Sequence, residues 1–213
     1  MSVDISHVLF YAAAFDPRQR DVPESMAAVR DDVHALFRLL DERRVRYVLV
    51  GGIALLQWVP GRNTEDLDVL LDADALERLP EFAVEARNEE FARTRFRGLQ
   101  VDLLLTRQPF FAEVRDAYAQ TVEISGRNVS CATPTGLVLL KLFALPSLYR
   151  QGDFARVGLY ENDIATLAQV HKVDLDASLV VLRPHLSETD LREVQNIIDD
   201  IRDRITRFER RQS

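Results

Sequence analysis

Apolar and polar positions along the first 133 residues follow two spacings, one typical of helices and one typical of strands. Residues 24–43 carry apolar side chains every three or four positions, which predicts an amphipathic helix. Short apolar runs bounded by turn-forming residues predict strands at residues 47–50, 64–71, 91–97, 99–106, 121–124 and 129–132. Shorter helices are predicted at residues 53–58, 74–87 and 109–120. The apolar stretch within residues 1–20 is compatible with either a short helix or a strand.

From residue 134 onward only the helical spacing remains. It predicts helices at residues 137–148, 160–171, 177–182 and 188–208. The pattern changes near Thr133-Pro134. We therefore predict an α+β fold with two domains, namely a domain at residues 1–133 with an N-terminal helical extension and a C-terminal helical domain at residues 134–213.

Composition and net charge exclude several classes of function. The chain has 213 residues, of which 47% are hydrophobic and 29% are charged, as in ordinary globular proteins. The net charge of −7 argues against non-specific binding along duplex nucleic acid, because phosphate neutralisation supplies most of that affinity. The longest apolar run, at residues 137–145, is interrupted by Lys141 and is too short to cross a bilayer, so we expect no membrane association.

The cellular compartment is predicted from the N-terminus and from cysteine usage. The N-terminus carries Asp4 and lacks the basic region of a secretion signal. The single cysteine, Cys131, cannot form an intrachain disulfide, and it has no neighbouring zinc ligands. We expect Cys131 to be a small buried apolar residue, and the protein to be cytoplasmic.

Two acids, Asp66 and Asp68, lie within the apolar strand predicted at residues 64–71. Side chains at i and i+2 of a strand leave the same face, so these two carboxylates share a small volume. Close like charges are unfavourable without a cation, and Mg²⁺ or Mn²⁺ relieves that cost through hard oxygen ligands. The alternative is a pair of solvated acids. Because the second half of the strand is strongly apolar, a metal site is favoured.

A third acid, Asp102, interrupts the apolar strand at residues 99–105. A buried unpaired carboxylate is costly, so this residue needs a partner. If its strand lies beside residues 64–71, Asp102 completes a cluster of three carboxylates that suits one or two cations and in-line nucleotidyl displacement. Asp102 could also act as the general base for the attacking hydroxyl.

Gly51-Gly52 ends one predicted strand and begins a helix. Such a turn presents backbone N–H groups to an anion, and the absence of Cβ atoms allows a phosphate to approach closely. A glycine pair after a strand is also common in ordinary turns. Its position ahead of the two acids favours phosphate binding.

Taken together, these segments resemble a known family. The run from Val48 to Ala54, followed by Arg62-Asn63-Thr64-Glu65-Asp66-Leu67-Asp68, is similar to the signature of the nucleotidyltransferase superfamily. The Arg-x-Thr before Asp-x-Asp resembles its AbiEii-like branch, which includes toxins of bacterial toxin–antitoxin pairs. The resemblance implies a nucleotidyltransferase-like mixed β-sheet core flanked by helices, with a nucleoside triphosphate as substrate. It also implies metal binding by Asp66, Asp68 and Asp102 and phosphate binding at Gly51 and Gly52.

The resemblance extends more weakly into the C-terminal domain. Thr133-Pro134 with the later Lys141 resembles a helix whose lysine contacts the triphosphate, although a lysine that extends to solvent is the alternative. Residues 160–164 resemble a segment in which an aspartate, here Asp163, follows a basic residue. Asn162 stands where a lysine is expected, and Arg156 is the candidate substitute.

Other residues near the predicted carboxylate cluster are candidates for substrate contacts. Arg62 suits bidentate phosphate binding, and Thr64 could orient a catalytic carboxylate. Arg93, Arg95 and Arg97 alternate along one predicted strand, which places them on one face as a possible site for RNA or another polyanion. The alternative is a solvated edge strand that discourages pairing between sheets.

These observations lead to one principal functional hypothesis. We expect an enzyme that moves a nucleoside monophosphate from a triphosphate to an acceptor hydroxyl, with tRNA or other RNA favoured. The resemblance implies a toxin with a cognate antitoxin protein. The alternatives are transfer to a small molecule or a partner protein, and a non-catalytic member of the fold that binds nucleotide or a partner.

Overall fold

The computed structural model describes residues 4–15, 25–60, 64, 66–124 and 126–210. The chain divides into two compact units, Met1–Ala132 and Thr133–Ser213. The first unit contains a β-sheet with flanking helices, and the second unit contains helices. The predicted α+β fold class is therefore confirmed.

The first unit is organised around one seven-stranded sheet. Its strands are β1 (Tyr47–Val50), β2 (Leu67–Leu71), β3 (Ala83–Arg87), β4 (Phe91–Phe96), β5 (Leu99–Leu105), β6 (Ala119–Ile124) and β7 (Arg127–Ala132). They are arranged in the order β3-β4-β5-β2-β1-β7-β6. β2 pairs with β5, and β1 pairs with β7, in parallel, whereas the other neighbours are antiparallel. The sheet is therefore mixed, with β2 and β5 at its centre.

In the described part of the first unit, four α-helices and one 3₁₀ helix accompany the sheet. They are α1 (Ile5–Phe15), α2 (Met26–Glu42), α3 (Gly51–Leu55), the 3₁₀ helix Ala73–Arg78 and α4 (Pro109–Ala117). The hydroxyl of Ser25 caps α2 by accepting a hydrogen bond from the backbone N–H of Ala28. The apolar side of α2 is buried, as its spacing predicts, through Val29, Val33, Leu36, Phe37 and Leu40.

The second unit consists, in its described part, of α5 (Pro134–Gln151), α6 (Phe154–His171), α7 (Leu175–Leu182) and α8 (Glu188–Glu209). The Thr133 hydroxyl caps α5 by accepting from the backbone N–H of Gly136, and Pro134 occupies the first turn. Gly152 ends α5 in the left-handed conformation, with φ +70°. Each of the four predicted C-terminal helices is therefore present.

Two elements of the first unit differ from the prediction. Residues 74–87, predicted as one helix, form the 3₁₀ helix and then β3, in which every residue is exposed. An exposed edge strand has no buried face, so its sequence lacks the alternation that predicts strands. The helix predicted at residues 109–120 ends at Ala117, because β6 begins at Ala119. The undecided N-terminal segment forms α1.

Cys131 and Trp58 both belong to the first unit, where Cys131 is buried. Burial raises the pKa of the Cys131 thiol to about 12, and the residue packs as a small apolar side chain, as predicted. The Trp58 indole is half-buried, and its Nε1 donates a hydrogen bond to the Ala132 carbonyl oxygen at 3.0 Å. Within the described residues, no helix is both long and apolar enough to cross a membrane.

Candidate active site

A row of four residues crosses the centre of the sheet. Val50 on β1 is the Cα partner of Asp68 on β2, Asp68 is the partner of Asp102 on β5, and Asp102 is the partner of Arg93 on β4. Directly opposed residues on neighbouring strands send their side chains to the same face. The row therefore brings two carboxylates and one guanidinium together on one side of the sheet.

Alternating burial along β5 explains why an acid is tolerated in an apolar strand. Leu99, Val101, Leu103 and Leu105 are buried, whereas Asp102 lies on the half-exposed face. The cost of an unpaired carboxylate in this strand predicts a partner for Asp102. The Asp102 side chain is 24% exposed and is paired with Arg93.

Arg93 binds Asp102 with both ends of its guanidinium. Nε lies 3.1 Å from Oδ1, and Nη2 lies 3.0 Å from Oδ2. These hydrogen bonds and the charge of Asp102 raise the pKa of Arg93, and the charges of Asp66 and Glu85 add to that effect. The guanidinium therefore stays positively charged and is electrostatically coupled to Asp66 as well as to Asp102.

Asp66 and Thr64 lie just before β2, which begins at Leu67 and not at residue 64. Both residues are half-buried. The Thr64 hydroxyl donates to the backbone carbonyl oxygen of Asp66 at 3.3 Å. In the structure this hydroxyl therefore binds the main chain of Asp66. Arg62 lies outside the described residues.

The glycine pair is packed directly against Asp68 and Thr64. Gly51 has φ +64°, and a Cβ added to it would overlap the Asp68 carboxylate and lie 2.7 Å from the Asp68 Cβ. A Cβ added to Gly52 would lie 2.5 Å from both Cβ and Oγ1 of Thr64. The glycine pair predicts that a phosphate fills the space left by the missing Cβ atoms. In the structure the side chains of Asp68 and Thr64 occupy that space, so any phosphate contact must come from backbone N–H groups.

Replacing Gly51 by alanine is expected to destabilise the first unit more than the same change at Gly126. Both glycines have positive φ, and this costs about 1–2 kcal/mol with a Cβ present. Among the described residues other than its chain neighbours, no atom lies within 4 Å of a Cβ added to Gly126, whereas at Gly51 the Asp68 carboxylate must move. Overpacking of this kind costs about 1–3 kcal/mol more. Urea unfolding of both variants measures the difference, and equal costs would show that Asp68 moves aside freely.

The donor set suits a hard divalent cation, because Asp66, Asp68 and Asp102 supply only carboxylate oxygens. Two of them, Asp68 and Asp102, are in register on adjacent parallel strands, as the prediction required. Within the described residues, however, no three acidic, histidine or cysteine side chains are arranged to hold a metal ion. The residues therefore suit the metal in chemical type, and Asp68 and Asp102 also in strand register, but binding by all three requires Asp102 to turn away from Arg93.

Each arginine of the predicted basic stripe, namely Arg93, Arg95 and Arg97, forms an ion pair with an acidic side chain. Arg93 binds Asp102, Arg95 Nε lies 3.0 Å from an oxygen of Glu85 on β3, and Arg97 Nη1 lies 3.4 Å from an oxygen of Asp32 on α2. Arg97 follows β4 in a turn, with φ +51°, so only the first two arginines share a strand face. The edge-strand alternative is wrong as well, because β4 lies between β3 and β5.

In the second unit, Lys141 and Asp163 form a buried ion pair. Their charged atoms are 2.9 Å apart, and the two side chains are 5% and 6% exposed. The Lys141 ammonium also lies 4.2 Å from the centre of the Tyr160 ring, in cation–π geometry. The alternative of a lysine that reaches solvent is therefore wrong. Arg156, the candidate substitute for the expected basic residue, is exposed and pairs with Asp153.

The pairing of Arg93 with Asp102 was not predicted from the sequence. The feature that could have predicted it is the short turn at Arg97-Gly98, which pairs Phe96 with Leu99. A two-residue hairpin loop sets the register of both strands, and counting back three pairs places Arg93 opposite Asp102. This register assigns the arginine to the carboxylate site.

Comparisons with known proteins support the fold. No family model and no curated protein sequence matches the chain. The chain is similar to the crystal structure of an antigenic nucleotidyltransferase-like protein from Paracoccidioides brasiliensis, with a TM-score of 0.52 and 18% identity over 82% of this chain and 88% of that one. This likeness shows a nucleotidyltransferase-like fold.

Two antibiotic-related structures are less similar. The antibiotic-resistance factor ANT(2'')-Ia matches with a TM-score of 0.46 and 13% identity, over 85% of this chain and 95% of that one. The lincosamide antibiotic adenylyltransferase LnuA, bound to lincomycin, matches with a TM-score of 0.39 and 14% identity, over 51% and 83%.

Proposed function

We propose that this chain is a metal-dependent nucleotidyltransferase that moves a nucleoside monophosphate from a triphosphate to an acceptor hydroxyl and releases pyrophosphate. The observation that carries the proposal is the register of Asp68 and Asp102 on adjacent parallel strands, with Gly51 packed against Asp68. Asp66 lies two residues before Asp68 in the same site. The nucleotidyltransferase-like fold supports the same conclusion.

Each residue of the site has a separate task in this proposal. Asp66, Asp68 and Asp102 would hold Mg²⁺ or Mn²⁺, which, when bound, supplies a Lewis acid that neutralises charge on the triphosphate. The first backbone N–H groups of α3, at Gly51 and Gly52, would donate to phosphate oxygens, since the N-cap residue of this helix, Val50, makes no side-chain capping hydrogen bond. An oxygen of Asp102 would accept the proton of the attacking hydroxyl.

The roles of Lys141 and Arg62 are proposed by resemblance alone. Lys141 would contact the triphosphate, and Arg62 would bind phosphate bidentately. Asp163, which pairs with Lys141, would then position its ammonium and remain out of contact with the nucleotide. A role of Lys141 in stability and a role in substrate binding can therefore be separated by mutation of Lys141 and Asp163.

For the acceptor, we propose RNA, with tRNA first, and a role as the toxin of a toxin–antitoxin pair. The support is the Arg62-x-Thr64 spacing before Asp66. A small molecule or a partner protein is the second candidate. It is favoured by the net charge of −7 and by the carboxylate partners of Arg93, Arg95 and Arg97, which reduce the positive potential available to RNA.

Transfer is tested by incubating the full chain with each α-³²P-labelled nucleoside triphosphate and Mg²⁺. Separate reactions contain tRNA, total protein or small metabolites, so the labelled fraction identifies the acceptor class. With the unaltered chain we expect a labelled acceptor and the release of pyrophosphate, which is itself unlabelled because the label is on the α-phosphate. With Asp66→Ala we expect neither product. Silence with every triphosphate, or equal labelling by Asp66→Ala, would contradict the proposal. Calorimetric binding of Mg-NTP without pyrophosphate would indicate the non-catalytic alternative.

A further inference from the structure

Arg93 occupies a position that the proposed function alone does not explain. Its guanidinium holds both oxygens of Asp102, at 3.1 and 3.0 Å. Bidentate pairing with arginine is among the strongest contacts that a carboxylate makes with another side chain. The third carboxylate of the proposed metal site is therefore already bound to a cation that belongs to the chain itself.

Two other acids place negative charge near the same guanidinium. Asp68 is in register with Asp102 on the opposite side of β5 from Arg93. Asp66 interacts with Arg93 through its charge. Like charges directly opposite each other on adjacent strands repel, and a positive group beside them offsets that repulsion. Arg93 therefore places a positive charge beside Asp102 that offsets part of this repulsion.

The guanidinium is more free to move than the carboxylate that it holds. The Arg93 side chain is 50% exposed, whereas that of Asp102 is 24% exposed. Asp68 is additionally confined by its packing against Gly51. An arginine side chain can rotate into solvent without moving the backbone of β4, so the pair can open while the sheet stays intact.

We propose that Arg93 is an internal counter-ion of the carboxylate site, and that its pairing with Asp102 and the binding of a divalent cation by Asp102 exclude each other. This inference rests on the proposed function, because it concerns regulation of the same site. A guanidinium and a divalent cation on one carboxylate repel each other, and each requires its own orientation of the oxygens. Metal binding to the third ligand therefore includes displacement of Arg93.

The inference predicts that removal of Arg93 strengthens metal binding in the absence of nucleotide. The probe is Mn²⁺, whose free concentration is measured by electron paramagnetic resonance on the full chain. We expect Arg93→Gln to bind Mn²⁺ about tenfold more tightly than the unaltered chain, because the competing charged hydrogen bonds are lost. Arg95→Gln is the matched control, since Arg95 lies on the same strand but pairs with Glu85, and the Mn²⁺ affinity of this variant should stay unchanged.

A second variant, Arg93→Lys, keeps the inference testable if the Arg93→Gln variant fails to fold. A lysine keeps the charge but cannot bind both carboxylate oxygens in the same planar geometry, so we expect an intermediate gain in Mn²⁺ affinity. A second readout is the rise in thermal unfolding temperature on addition of Mn²⁺. That rise should be largest for Arg93→Gln, because it follows ligand affinity.

The outcomes separate the two proposals. Equal Mn²⁺ affinity in the unaltered chain and both Arg93 variants would overturn the counter-ion inference and leave the metal site in place. Weaker binding by the variants would overturn it as well, and would indicate that Arg93 orients Asp102 for the metal. If neither the unaltered chain nor any variant binds Mn²⁺, the proposed metal-dependent function fails together with the inference.

Discussion

Replacement of Asp68 by asparagine is expected to lower nucleotidyl transfer on the order of 10³-fold, because a metal-ligating charge supplies several kcal/mol of transition-state stabilisation. The change keeps the size of the side chain, so the packing against Gly51 is retained. It also removes one of two like charges that face each other on β2 and β5. We therefore expect the thermal unfolding temperature to stay the same or to rise.

Asp74→Asn is the matched control for this loss of charge. Asp74 is exposed and lies in the first turn of the 3₁₀ helix that follows β2. Initial rates of label transfer at saturating triphosphate compare the two variants. A small loss in Asp68→Asn, similar to that of Asp74→Asn, would remove Asp68 from the proposed metal site.

The second large effect is expected on stability, in the helical unit. Lys141→Met leaves the Asp163 carboxylate buried without its cation, which costs about 3–5 kcal/mol. The contact between the ammonium and the Tyr160 ring is lost as well. Urea unfolding followed by circular dichroism at 222 nm measures the change.

A double variant, Lys141→Met with Asp163→Leu, tests the cause. It removes both charges and keeps apolar volume, so we expect most of the lost stability to return. Arg204→Met is the control, because Arg204 pairs with Glu161 nearer the surface and such pairs contribute about 0–1 kcal/mol. If the double variant is stable but inactive, Lys141 contacts the triphosphate. If it is stable and active, the lysine serves the fold alone.

The strands that carry the carboxylates were predictable, because their apolar runs have one clear interpretation. β5 differs from its predicted range by a single residue, and β2 ends as predicted at Leu71 but begins at Leu67 and not at residue 64. β3 was not predictable in this way, since all of its residues are exposed and its pairing with β4 is set by backbone hydrogen bonds. Periodicity detects burial, and an edge strand without a buried face leaves no such pattern.

Pairing between distant strands decided how much of the site could be predicted. The sequence indicated that Asp68 and Asp102 would meet if their strands were neighbours, and the parallel pairing of β2 with β5 satisfies that condition. The space at Gly51 could not be assigned from sequence, because a missing Cβ admits a side chain as well as a phosphate. The partner of Lys141 could not be identified either, since Asp163 lies on another helix.

The position of Trp58 gives the protein a built-in optical reporter. It is the single tryptophan of the chain, and its indole binds the carbonyl oxygen of Ala132, the last residue of the first unit. Tryptophan emission therefore reports on the sheet-containing unit, whereas ellipticity at 222 nm also includes the helices of the second. Coincident denaturation curves from the two signals would indicate one cooperative transition, and separate curves would assign a melting point to each unit.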